Sequence, residues 1–247
     1  MNRFGRLRLL DTAVIKNPDH AVARLERAAF LFSVGLVRDS LQDAQVAVQL
    51  APSSLRVRTG YVYSLIMAGQ LGAASRELSE VERLWPGVPD IAEVRFLLEL
   101  RYGDPKRAEA LLNLGAVELG ASALHKSYLR ARLEPTQANV EVALNTGRNM
   151  LQQYPPAISA HIQTLATFDR RDELFQLLTR HRIEDIDGVV DVIFRPSFAR
   201  VHRDPRFMQV ARRFGLLTFW RASGRWPDFC LAPDLPYKCR SEAAKLR

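Results

Sequence analysis

Two cysteines are all that the 247 residues contain, too few for a disulfide-stapled scaffold. No apolar run approaches the ~18–20 residues that a membrane-spanning helix requires. The opening "MNRFGRLRLL" is basic but lacks the uninterrupted apolar stretch of a secretory signal. Histidine is sparse and scattered, at His20, His125, His161, His181 and His202, with no pair at the i,i+4 spacing of a helical metal site. Each is read as a surface or capping residue. A glycine-rich phosphate loop, a P-loop lysine and a G-x-S-x-G turn are all missing. Acidic residues at Asp169/Asp172, Asp185/Asp187 and Asp191 fall in turns, where helix capping accounts for them. These absences point away from an enzyme and from any cofactor or metal. The expected location is the cytoplasm, or the periplasm if a membrane segment precedes this stretch in a longer chain.

What is present is a folded-protein composition, 47% hydrophobic and 25% charged, which excludes wholesale disorder. The net charge of +8 is unevenly placed. From Arg195 to Arg247 there are twelve Lys/Arg against four Asp/Glu, so this tail carries the whole excess. Such a tail can be a solvated surface, or it can attract nucleic acid, anionic lipid or an acidic protein face.

The repeat is the strongest signal. Pro18, Pro52 and Pro86 are spaced by 34 residues, as are Gly35, Gly69 and Gly103. Leu31 matches Leu65; Ala28, Val62 and Phe96 align; so do Ala44, Leu78 and Leu112. Within "DHAVARLERAAFLFSVG", Val22, Leu25, Ala28, Ala29 and Phe32 follow the 3,4 spacing of a buried helical face. Gly35 is suited to a left-handed helix end. "DSLQDAQVAVQLAP" then restarts a helix, with Asp39/Ser40 as candidate caps and Pro52 as its stop. Each unit therefore reads as a helix hairpin, helix A then helix B. Small residues at Ala28, Ser40, Ala44 and Ala47 permit close approach.

This pattern resembles the tetratricopeptide repeat (TPR). Its small residue, turn glycine, alanine and proline positions hold Ala28, Gly35, Ser40, Ala47 and Pro52, then Val62, Gly69, Ala74, Val81 and Pro86. The third unit has Phe96, Gly103, Ala108, Gly115 and Gly120, departing at its end. The tryptophan common early in helix A is missing; Arg24, Arg58 and Ala92 stand there. Downstream the period slips, but Ala143 and Pro155 keep repeat-like places. A further pair turns near Asp169–Arg171. Upstream, the first helix places Leu7, Leu10 and Val14 on one face but has no helix A of its own. Either it caps the array or an upstream part precedes it. The second is preferred, because Arg3, Arg6 and Arg8 only half supply a cap's polar face.

The tail breaks the period. Asp204-Pro205 reads as a helix start, Phe207, Val210, Ala211 and Phe214 form its apolar face, and Leu216, Phe219 and Trp220 begin another short helix. Trp226, Phe229, Leu235 and Tyr237 lie in a proline-rich stretch expected to wrap over the last hairpin. "DPRF" at 204–207, "GLLTFWRASGRWPDFC" at 215–230 and "LPYKC" at 235–239 resemble the C-terminal TPR region of bacterial winged-helix transcription regulators and TPR-containing adenylate cyclases. Lys238 stands where that family more often has an acidic residue, and neither output domain is in this sequence. A helix-turn-helix at "VARRFGL" is disfavoured, because its second helix would need apolar residues where Arg221 and Gly224 occur. Cys230 and Cys239 are close enough along the chain to bond in an oxidising compartment, or to remain buried thiols in a reducing one.

The expectation is an all-α protein, a right-handed α-solenoid of about five TPR-like hairpins with a C-terminal helical and proline-rich cap. Residues 1–18 form the unpaired helix, 19–120 three repeats, 121–189 two degenerate hairpins and 190–247 the basic cap. Stacking must bury the hairpin faces, since none can do so alone. The TPR resemblance implies a noncatalytic scaffold gripping a protein or peptide in a groove lined by the A helices. The tail resemblance implies the sensor or assembly region of a bacterial transcription regulator, meeting nucleic acid only through an output domain absent here. In repeat phase the groove positions are Val22, Leu25, Ala29 and Phe32, then Arg56, Thr59, Tyr63 and Ile66, then Asp90, Glu93, Leu97 and Arg101. Arg56, Tyr63 and Arg101 stand out, as forked donors to carboxylates and as rigid contact area. The alternative is a nucleic-acid-binding protein acting through the basic tail.

Overall fold

The computed structural model describes residues 3–115, 117, 122–180 and 190–246. Within them the chain is helical throughout and contains no strand. A first helix, α1 (Arg3–Lys16), precedes five hairpins: α2 (Ala21–Ser33) with α3 (Val37–Leu50), α4 (Leu55–Met67) with α5 (Leu71–Leu84), α6 (Pro89–Arg101) with α7 (Pro105–Asn113), α8 (Ala123–Leu133) with α9 (Gln137–Gln153), and α10 (Ile158–Thr167) with α11 (Arg171–Arg180). The hairpins pack side by side as an α-solenoid. Three short 3₁₀ turns (Val192–Phe194, Pro196–Phe198, Val201–Arg203) lead to α12 (Phe207–Arg213), α13 (Leu216–Ser223) and α14 (Cys239–Lys245). The motif position Gly120 lies outside the described residues, as do His181, Asp185 and Asp187.

Local chemistry explains where the helices start and stop. His20, Ser54, Ser122 and Thr136 each accept a backbone N–H three residues on, serving donors that a helix N-terminus leaves unpaired. Asp39/Ser40 are not caps. Helix α3 begins at Val37, Ser40 is buried in the helix packing, and Asp39 pairs with Arg225. Gly35 (φ 82°) and Gly69 (φ 71°) are left-handed, and the following N–H of Leu36 or Gln70 reaches back to Leu31 O or Leu65 O at 2.9 Å. This 6→1 bond is the Schellman closure. The fifth hairpin repeats it with Asp169 (φ 55°) in the glycine's place and Arg170 N on Leu165 O. Aspartate tolerates that conformation better than most side chains.

Gly103 is the exception, because it is not left-handed. There the Glu99 carboxylate folds over the turn and accepts the Asp104 N–H at 2.9 Å. Arg132 of α8 donates to the carbonyls of Glu99, Leu100 and Gly103. A cation on the last carbonyls of α6 suits the negative end of its dipole.

Repeat-motif positions form the seams between helices. Ala28, Ala44 and Ala47, then Val62, Ala74 and Val81, then Phe96 and Ala108 are all buried. The arginines in the tryptophan places bridge to helix B through carboxylates instead. Arg58 donates to Glu77 at 2.7 Å, and Arg24 lies 3.6 Å from Asp43. Asp43 is also gripped by Arg27 through two bonds, and Arg27 reaches Asp11 of α1. A bidentate pair with further donors is the geometry in which a mostly buried carboxylate is tolerable.

The tail does not simply cover the last hairpin, as the sequence suggested. Its α12 does so, with Arg206 pairing with Asp172 and lying over the Phe175 ring. The proline-rich stretch instead closes on the first hairpin. Trp220 Nε1 donates to Val34 O at 2.8 Å, and Asp228 N donates to Gly35 O at 3.0 Å. Asp228 pairs with Arg38, Arg225 pairs with Asp39, and Arg3 donates to Phe214 O. Leu7, Phe30 and Phe32 therefore share one core with Ile162, Leu174, Phe207 and Trp220. Gly35 makes room for this, since a Cβ there would sit 2.6 Å from Pro227 and 2.7 Å from Phe194. The first hairpin and the last thus meet across the tail.

Candidate functional site

The A helices α4, α6, α8 and α10 turn one face each toward a common hollow of about 270 Å³. Helical spacing decides what each contributes. Tyr63, Ile66 and Met67 come from one face of α4, and Leu97, Leu98 and Arg101 from one face of α6. His125 comes from α8, Ser159, Ala160 and Gln163 from α10, and Arg195 from the tail. The walls are largely aliphatic, and the polar groups converge from five different elements, the usual composition of a ligand site.

Arg101 is 9% exposed and lies over the Tyr128 ring, 4.2 Å from its centre. Its Nη1 has no hydrogen-bond partner. Arg195 is tied by Nη2 to Asp191 at 2.9 Å and approaches Gln163 Oε1 at 3.4 Å, while its Nε is buried without a partner. The Tyr102 hydroxyl and Ser197 Oγ face one another without a hydrogen bond of standard geometry. Burial raises the pKa of Tyr63 and Tyr102, opposed by the positive charge of Arg195 and, at Tyr102, of Arg101. Both phenols therefore stay protonated and able to donate at neutral pH.

Of the residues picked from the sequence, Tyr63, Ile66, Leu97 and Arg101 line this hollow. Arg56 is exposed on α4 and pairs with Glu26 at 2.6 Å. Thr59 bonds back to its own helix at Leu55 O. Leu25 packs where a Cβ on Gly60 would stand, and Phe32 is buried in the core shared with the tail. Glu93 is partly buried on α6. The sequence missed His125, Ser159, Gln163 and Arg195. The first three belong to hairpins where the period slips, so no phase could be carried to them, and Arg195 lies outside any repeat. The histidines His161 and His202, read as surface or capping residues, are buried. Among the described histidines, His20 and His125 sit at helix starts.

Cys230 and Cys239 are bonded, with Cα atoms 5.8 Å apart. A larger hollow of about 830 Å³ lies between α1 and α13, beside Arg3, Arg6, Phe30 and Phe219. Its cations are engaged, Arg3 by the Phe214 carbonyl and Arg6 by the Phe30 ring, so it is less equipped for a ligand. Several of the tail's basic residues are likewise used internally. Arg203 pairs with Asp234, Arg206 with Asp204 and Asp172, Arg225 with Asp39, and Arg221 donates to Ala243 O. Leu216, Leu217, Phe219 and Trp220 bury α13, so it offers no recognition helix. Among the described residues no helix is long and apolar enough to cross a membrane, and no group of three His, Cys, Asp or Glu could hold a metal.

No protein-family model matches the chain, and no curated protein matches it. Among solved structures it is similar to a chain from "Structure of Naa15/Naa10 bound to HypK-THB", at 15% identity and a TM-score of 0.37. The match covers 91% of this chain and 35% of the other, so this chain spans about a third of that chain's length. A likeness this loose says nothing about function.

Proposed function

We propose that this protein is a noncatalytic helical-repeat scaffold that holds a protein or peptide segment against its A-helix face. We further propose that it serves as the sensor or assembly region of a bacterial transcription regulator. The observation that carries the scaffold reading is the convergence of α4, α6, α8 and α10 on one hollow, with Tyr63 and Arg101 presented to it. Tyr63 is 43% exposed despite its size, which suits a contact residue more than a core residue. Support for the regulator reading is the tail motif at 204–207, 215–230 and 235–239.

Arg56→Glu combined with Tyr63→Ala tests the scaffold reading, because both side chains are exposed enough for the fold to survive. Partners captured by the wild-type chain should be lost from the double variant while its circular dichroism stays unchanged. Retention of every partner would reject the A-helix face as the binding surface. Co-purification with a promoter-binding protein, or an in-frame winged-helix segment upstream of Met1, would support the regulator role.

A further inference from the structure

Two guanidinium atoms of residues lining the hollow, Arg101 Nη1 and Arg195 Nε, are buried without a hydrogen bond, whereas Tyr102 Oη and Ser197 Oγ face each other. Tyr102 lines the same hollow. Buried polar groups in folded proteins are almost always satisfied, so such a cluster marks a place where a partner belongs. The charge balance states which kind. Asp191 offsets Arg195, but among the described residues no carboxylate forms an ion pair with Arg101, which stacks on Tyr128. A buried guanidinium with an unpaired N–H and no carboxylate beside it is costly, and a carboxylate placed on it would offset that penalty. Stacking on Tyr128 already fixes the plane of the fork. Beside it, Ile66, Leu97, Leu98 and Ala160 offer apolar surface.

We propose that this hollow binds a small apolar monocarboxylic acid, its carboxylate on the Arg101 guanidinium and its body against Ile66, Leu97 and Ala160. The hollow, about 270 Å³ in volume, has room for a single-ring acid. Benzoate and phenylacetate match that size and chemistry. The ligand shares its site with the scaffold reading but is a free small molecule, so occupancy would couple a metabolite to the face that holds the partner.

The test is calorimetric titration of the whole chain with benzoate and phenylacetate, and with benzamide and phenylacetamide as neutral isosteres. One of the acids should bind saturably and raise the melting temperature, with its amide weaker by roughly tenfold or more. Arg101→Met should abolish the difference between acid and amide, and Arg101→Lys should restore part of it by returning charge without the fork. Should Arg101→Met fail to fold, Ala160→Leu fills the hollow from α10 and should abolish acid binding on its own. The proposal fails if neither acid binds at millimolar concentration, if acid and amide bind alike, or if binding survives Ala160→Leu. A peptide that binds where no free acid does would also overturn it, while leaving the scaffold reading intact. Acid binding that survives unchanged in an Arg56→Glu chain that has lost its partners would separate the two in the other direction, since Arg56 is not part of the hollow.

Discussion

The first and second hairpins are nearly identical in their local structure and opposite in their surroundings. Both turn through a left-handed glycine and close with the same 2.9 Å backbone bond. Yet a Cβ on Gly35 would strike Pro227 and Phe194, whereas a Cβ on Gly69 would meet nothing within 4 Å. The same residue in the same turn is thus a contact surface in one unit and only a helix end in the next. The difference is the tail, which seals the first turn and leaves the second open. Packing differs accordingly. The seams of the first two hairpins are built from small and aliphatic residues, while the tail closes on Phe194, His202, Phe207, Trp220 and Phe229 in edge-on and stacked contacts.

The largest expected effect comes from breaking the closure at its centre. Trp220→Ala removes a fully buried indole and its bond to Val34 O, and should cost about 3–5 kcal/mol. Hydrogen exchange should then accelerate in α2 and α11 together, since both rest on that core. Acceleration confined to α13 would show the ends to be independent. Next, Gly35→Ala should cost about 2–5 kcal/mol, combining left-handed strain with overpacking against Pro227 and Phe194. Its counterpart Gly69→Ala pays the strain alone, about 1–2 kcal/mol. Equal losses in denaturant melts would erase the distinction between the two turns.

His202 sharpens the comparison by pH. It is buried against Phe229, its Nε2 donates to Ile193 O at 2.7 Å, and desolvation lowers its pKa from 6.5 to about 4, opposed by that bond. The folded value lies below the unfolded one, so the unfolded chain takes the proton first on acidification. The contribution of His202 is complete above pH 6.5 and is lost as pH falls from there to about 4, by about 3 kcal/mol in total. Denaturant melts across that window should show the loss, and His202→Gln should flatten it. A smaller effect, about 2–3 kcal/mol, is expected on opening the Cys230–Cys239 bond with a reductant or by Cys239→Ser, because it closes only a short loop. The loss should appear as faster exchange in α14 and leave α4 and α5 unchanged.

Much of the fold was legible because a helix hairpin is written in short-range signals. Spacing of Ala28, Leu31 and Phe32, the turn at Gly35 and the stop at Pro52 all act within a few residues of one another. Even the degenerate fifth hairpin could be placed by its turn, although nothing announced that Asp169 would adopt the glycine's conformation. Where an unusual side chain took over, the reading slipped. Gly103 looked equivalent to Gly69, but Glu99 and Arg132 serve that turn instead. Of the hollow, the half on α4 and α6 was readable by carrying the repeat phase forward; the half on α8 and α10 was not, because the phase had been lost.

By itself, then, the sequence determined the helices, their pairing into hairpins and the seams between neighbours, since those depend on propensity, capping and periodicity along a short stretch of chain. Only the tertiary structure decided that the tail returns to the first turn and that Arg195 completes the hollow beside Arg101. Those contacts join residues as far apart as Val34 and Trp220. Long-range partners are selected by shape, burial and charge in the assembled array, and a glycine's bare backbone does not say what will come to rest on it.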